Sequence, residues 1–135
     1  MQFHPGGSGP LIAMGAGRRD VDAAQTYWFQ GSGTSNFTDG GLIALGKWTD
    51  FVFQIDWNTG AVTIYRRDQG HTKFVQVLNI MDAAMLPPDS GYFKQGLYRG
   101  PNVNGRTDVL WMGPAARGTS FAAVEQAAFG TNDAF

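Results

Sequence analysis

Lys47-Trp48-Thr49-Asp50-Phe51-Val52-Phe53-Gln54-Ile55-Asp56-Trp57 is the longest β signal in the chain, and Asn58-Thr59-Gly60 and then residues 61–66 follow it directly. The first run is dense in aromatic and β-branched side chains: Trp48, Phe51, Val52, Phe53, Ile55 and Trp57. The return run sets Val62 and Ile64 against Thr63 and Tyr65. Two β-rich runs around a glycine-containing turn predict an antiparallel hairpin.

The rest of the chain repeats this short-strand pattern. Upstream, residues 1–4 form a short run cut off by Pro5-Gly6-Gly7-Ser8-Gly9-Pro10, and residues 11–14 form a second, ended by Gly15-Ala16-Gly17. Residues 25–30 form a third, with Tyr27 and Phe29 opposite Trp28. Residues 42–45 are a short apolar run. Downstream, 74–80, 92–99 and 107–112 read as strands, whereas 82–89 is irregular because Pro87-Pro88 forbids helix. Residues 120–129 predict one short helix, with Thr119 or Ser120 as cap and Gly130 as stop. Short strands separated by Gly, Pro, Asn and Asp turns predict an all-β antiparallel sandwich or jelly roll, with residues 1–135 as a single domain.

Composition agrees. Glycine is 19 of 135 residues, about twice the usual ~7%. Phe 10, Trp 4 and Tyr 4 supply the bulk for a sheet core. The net charge of −1 gives no basic field for nucleic acid. With no cysteine, disulfides play no part and the redox compartment stays open. No apolar run approaches the ~20 residues of a membrane helix. The first residues lack the basic start and apolar core of a signal peptide.

One strand is oddly polar. In Tyr92-Phe93-Lys94-Gln95-Gly96-Leu97-Tyr98-Arg99, alternation puts Tyr92, Lys94, Gly96 and Tyr98 on one face. That face carries two phenols, an ammonium and a gap. Gln2 and His4 form a second polar pair, on one face of the first strand. Each has a plain reading: terminal histidines sit in water, tyrosines pack with the hydroxyl at the rim, and strand lysines point to solvent. If the two strips face one groove, the set acquires a chemistry. His and Tyr supply a proton acceptor and donor, while Gln with Lys or an arginine such as Arg99 supplies donors to a carboxylate. That combination fits β-elimination beside a uronic acid, where the carboxylate is neutralised so that the C5 proton becomes acidic. Free imidazole titrates near neutrality and serves as a base unaided, whereas a phenol needs a neighbouring cation. The chemistry requires no metal or other cofactor, and two histidines without cysteine argue against zinc.

The same residues carry a family resemblance. Tyr92-Phe93-Lys94-Gln95-Gly96-Leu97-Tyr98 resembles the YFKxGxY motif of alginate-lyase-type jelly-roll polysaccharide lyases, and Gln2-Phe3-His4 resembles their Q-x-H strand. Residues 2–14 resemble the catalytic strand, loop and next strand of the heparin-lyase-like and glucuronan-lyase-like groups. Gly46-Lys47-Trp48-Thr49-Asp50-Phe51-Val52-Phe53 resembles their GKWHDFVF strand. The pattern covers roughly residues 1–113, and its strength lies in the order and spacing of the motifs.

The resemblance implies a concanavalin-like β-jelly roll with a groove on its concave sheet and an acidic polysaccharide as partner. It implies that Gln2 neutralises the uronate carboxylate, and that His4 assists it or is the base on one sugar epimer. Tyr98 is implied as the acid, and as the base too where proton and leaving group share a side. Lys94 supports Tyr98 or binds substrate, with Tyr92 and Arg99 as further substrate-binding residues. An extracellular or secreted location follows from the same resemblance. The departure is at the start: such families carry an arginine-bearing strand before Q-x-H, and nothing precedes Gln2 except Met1. The expectation is therefore an N-terminally truncated or shortened jelly roll. Its open sheet edge would be covered by a second copy or a companion chain, and the missing arginine would weaken or abolish turnover. The alternative is a non-catalytic carbohydrate-binding or structural module of a surface or phage assembly, with Trp28, Trp48, Trp57 and Trp111 stacking on sugars.

Overall fold

The computed structural model describes residues 1–5, 10, 12–17, 24–31, 37–56, 59, 61–81, 91–96 and 109–130. Its strands are β1 (Gln2–Pro5), β2 (Ile12–Gly17), β3 (Thr26–Gly31), β4 (Thr38–Leu42), β5 (Thr49–Asp56), β6 (Ala61–Asp68), β7 (Val75–Met81) and β8 (Gly91–Lys94). They build two antiparallel sheets, one ordered β4-β3-β2-β1-β8 and the other β5-β6-β7. The protein is an all-β sandwich with one helix among the described residues, α1 (Phe121–Phe129).

The expected hairpin is β5–β6, in register from Thr49↔Asp68 to Asp56↔Ala61. Its alternation splits two cores. Phe51, Phe53 and Ile55, with Val62 and Ile64, face the five-stranded sheet and meet Ile12, Phe29, Phe3 and Met14. Phe29, Ile12, Val62 and Ile64 are fully buried, and burying such a side chain contributes about 1.5–3 kcal/mol relative to leaving it in water. On the outer face, Val52, Phe74 and Tyr65 pack with Phe121 of α1. The helix begins at Ser120, whose Oγ accepts from the Ala123 amide at 3.2 Å, and ends at Gly130 with φ 71°. Both signals match the predicted cap and stop.

Arg66 ties the two sheets together. It follows Val62 and Ile64 on the inward face of β6 and is buried. Its guanidinium donates to Gly40 O at 2.9 Å, Leu42 O at 2.6 Å and Asp68 Oδ1 at 2.8 Å, and it lies 4.9 Å from the Tyr27 ring centre. A sandwich end that apolar contacts would close is closed here by a hydrogen-bonded cation.

Three expectations need correction. The Gly15-Ala16-Gly17 segment continues β2 rather than ending it, because each residue pairs with β3. The strand expected over 92–99 ends at Lys94, with Gln95 and Gly96 past the end of β8 and residues 97–99 outside the described residues. Residues 109–112 are not a strand: Val109, Leu110, Trp111 and Met112 are all exposed and lack a ladder partner among the described residues. Strand propensity without a partner to pair with does not make a strand.

Candidate functional site

The two polar strips meet. β1 and β8 are antiparallel neighbours with Gln2↔Lys94, Phe3↔Phe93 and His4↔Tyr92 opposite one another. Directly opposed residues share a face, so one parity carries Gln2, His4, Tyr92 and Lys94. The other carries Phe3 and Phe93, whose rings lie 5.0 Å apart, with Phe3 continuing to Phe53 at 5.4 Å. The apolar parity anchors the strand pair in the core and leaves the polar parity on the outer surface of the sheet.

Within the polar set the contacts are specific. His4 Nε2 and Gln2 Oε1 are 2.8 Å apart. An amide oxygen only accepts, so Nε2 is the donor, and in the neutral imidazole Nδ1 is then the basic nitrogen. The Gln2 amide keeps its NH₂ group as a donor for a second partner. The His4 and Tyr92 rings stack at 5.1 Å with only 5° between their planes. The Lys94 ammonium lies 5.1 Å from the Tyr92 ring centre, a cation–π distance. Tyr92 and Lys94 are exposed, whereas Gln2 and His4 are half-buried. A base, an amide donor, a phenol and a cation thus stand on two alternate rungs of one two-strand ladder, Gln2↔Lys94 and His4↔Tyr92.

Tyr98 and Arg99 lie outside the described residues, as does Trp57. The structure therefore brings together Gln2, His4, Tyr92 and Lys94, and it shows Tyr92, ranked below Tyr98 by motif position, in direct contact with His4.

Sequence reading undervalued Trp28. Through Gln2↔Ala13, Ala13↔Gln30 and Gly15↔Trp28, this indole stands on the face that bears Gln2 and His4. A Cβ built on Gly15 would lie within 2.7 Å of Trp28 Cη2 and closer still to Cζ2 and Cε2. Those three consecutive ring atoms are nearer than an in-plane approach permits, so the flat of the indole covers Gly15. Phe37 meets Trp28 edge-to-face at 5.0 Å. The signal was a glycine in mid-strand, which marks close approach by another group.

A second feature is an open depression of about 800 Å³ at the other end of the sandwich, lined by Gly40, Leu42, Arg66, Asp68, His71 and Val75 among others. Its central cation, Arg66, is held by two backbone carbonyls and Asp68. That occupation makes Arg66 a structural group rather than a ligand-binding one. Burial works against ionisation of Asp68, but hydrogen bonds from Arg66 and Thr49 and the charges of Arg66 and His71 outweigh it and hold the carboxyl below its ordinary value. No family model matches the chain, nor does any curated protein or solved structure.

Proposed function

We propose that the chain acts on a uronic-acid-containing polysaccharide by β-elimination, from the polar face of β1 and β8 in a concanavalin-like jelly roll. The observation that supports this most is the convergence of Gln2, His4, Tyr92 and Lys94 on one sheet face, with His4 oriented by Gln2. In this reading the Gln2 amide NH₂ and the Lys94 ammonium neutralise the carboxylate. His4 takes the C5 proton. The C5–H electron pair becomes the C4=C5 double bond, the C4–O glycosidic bond breaks, and the leaving oxygen takes a proton from a phenol. Tyr98 is the proposed acid on the strength of the motif, and Arg99 the proposed further contact to substrate. The test is ultraviolet absorbance of the unsaturated product during incubation with alginate, glucuronan and glycosaminoglycans.

A second reading is favoured by one observation: the arginines of the described strands, Arg66 and Arg67, both belong to β6 of the other sheet. Without a guanidinium beside the carboxylate, the same face would bind an acidic polysaccharide without turning it over. Saturable binding with no new absorbance distinguishes this reading. In either case the proposed partner along the sheet is a second copy or a companion chain. β8 has one neighbouring strand among the described residues, and its own Phe93 is 39% exposed. Light scattering showing a clean monomer at every concentration would remove that element.

A further inference from the structure

We infer that Trp28, braced by Phe37, is a stacking subsite for a pyranose ring of the same polysaccharide, set one short oligosaccharide away from His4. The inference rests on the proposed function for the identity of the sugar but not for the existence of the platform.

The geometry makes the case in three steps. First, Trp28 shares its face with the polar set, because Phe29 and Tyr27 take the opposite parity and pack inward on Phe51. Second, the indole lies flat on the sheet at Gly15, where no other residue type leaves room for it. A flat indole presents a broad apolar surface whose electron-rich face suits the axial C–H groups of a sugar ring. An indole kept only for burial would be served better by the inter-sheet core, where Phe29 is fully enclosed. Third, the spacing fits a chain ligand. Counting strands and residues along the ladder puts the Trp28 backbone about 12 Å from Gln2 and about 17 Å from His4. The path between them passes the amide of Gln30; Ala13, on the same face, is buried and offers the ligand no contact. Gln2, with Lys94 opposite it, lies before His4 along this diagonal, so a ligand that stacks on Trp28 also meets the donors for a carboxylate.

Isothermal titration of the full chain tests this, with His4→Ala as a background that prevents turnover. Probes are polyuronate di- and hexasaccharides and a neutral hexasaccharide. Adding Trp28→Ala is expected to weaken hexasaccharide binding about tenfold and to leave the disaccharide unchanged. Trp28→Tyr should restore most of the loss. Gly15→Ala keeps the tryptophan but lifts it from the sheet, and should reproduce the loss while circular dichroism stays native. Hexasaccharide affinity unaltered in folded Trp28→Ala or Gly15→Ala overturns the subsite and leaves the proposed function standing. Trp28-dependent binding of the neutral hexasaccharide alone supports the subsite and overturns the uronate reading. Binding of none of the probes overturns both.

Discussion

The imidazole of His4 lies flat against the phenol ring of Tyr92, 5.1 Å away and within 5° of parallel. The stack is a product of register, because His4 and Tyr92 are directly opposed on neighbouring antiparallel strands. A one-residue slip would send one of the two rings into the core face. The pairing of Phe3 with Phe93 on the core side fixes that register, so apolar packing below the sheet sets the polar geometry above it.

The first prediction separates the two tyrosines. Stacking needs a ring but not a hydroxyl, so Tyr92→Phe should keep product formation within a few-fold of wild type. Tyr98→Phe should lose it by about a hundredfold or more, as expected when a general acid is removed. Equal loss in both variants would move the acid role to Tyr92.

Gln2 is given two tasks, orienting His4 through its oxygen and meeting the carboxylate through its NH₂. Gln2→Ala should lower kcat about a hundredfold, in the range for losing one preorganised donor. Gln2→Glu should do more harm near neutral pH than at acid pH, where the new carboxyl is protonated and no longer repels the substrate. An identical pH profile for the two variants would contradict the carboxylate-facing role.

Arg66 is predicted to matter for stability rather than for chemistry. Arg66→Met removes the guanidinium donor from Gly40 O and Leu42 O and leaves the Asp68 carboxylate with the Thr49 hydroxyl but without its cation, and should cost about 3 kcal/mol or more in denaturant unfolding. Gly40→Ala should also destabilise, by about 1–3 kcal/mol, because its Cβ would meet Phe29 Cζ and Tyr27 Cβ at 3.1 Å. Neither substitution touches the polar face of β1 and β8.

The Asp68 carboxyl is held below its ordinary value in the folded state. A depressed folded pKa gives stability that is fully present above the unfolded value, near 4, and is lost as pH falls through the folded one. Unfolding free energy should therefore decline over that acid range. The gap between wild type and Asp68→Asn, measured by urea titration, should narrow over the same interval. A gap that widens on acidification would contradict the assignment.

Much of the sandwich was legible because its signals are local. The β5–β6 hairpin, the Ser120 cap, the Gly130 stop and the alternation of Val62 and Ile64 each follow from a few neighbouring residues. The parity of Gln2 with His4 and of Tyr92 with Lys94 was readable in the same way. What joined the two pairs was not: adjacency of β1 and β8, some 90 positions apart in sequence, is a long-range pairing with no local signature. The same limit applies to 109–112, whose β-rich composition does not reveal whether a neighbouring strand is present. The role of Arg66 has no local signature either, because its carbonyl partners on β4 are likewise distant in sequence. Gly15 read as a strand end because its reason for being glycine is an indole on another strand.

The most direct test of the proposed chemistry is continuous ultraviolet absorbance of wild type and His4→Ala against a panel of polyuronates. The account predicts a steady rise from the C4=C5 product with at least one of them, and its loss by about a hundredfold or more in His4→Ala. A flat trace on every polyuronate, or a rise that survives intact in His4→Ala, would contradict it.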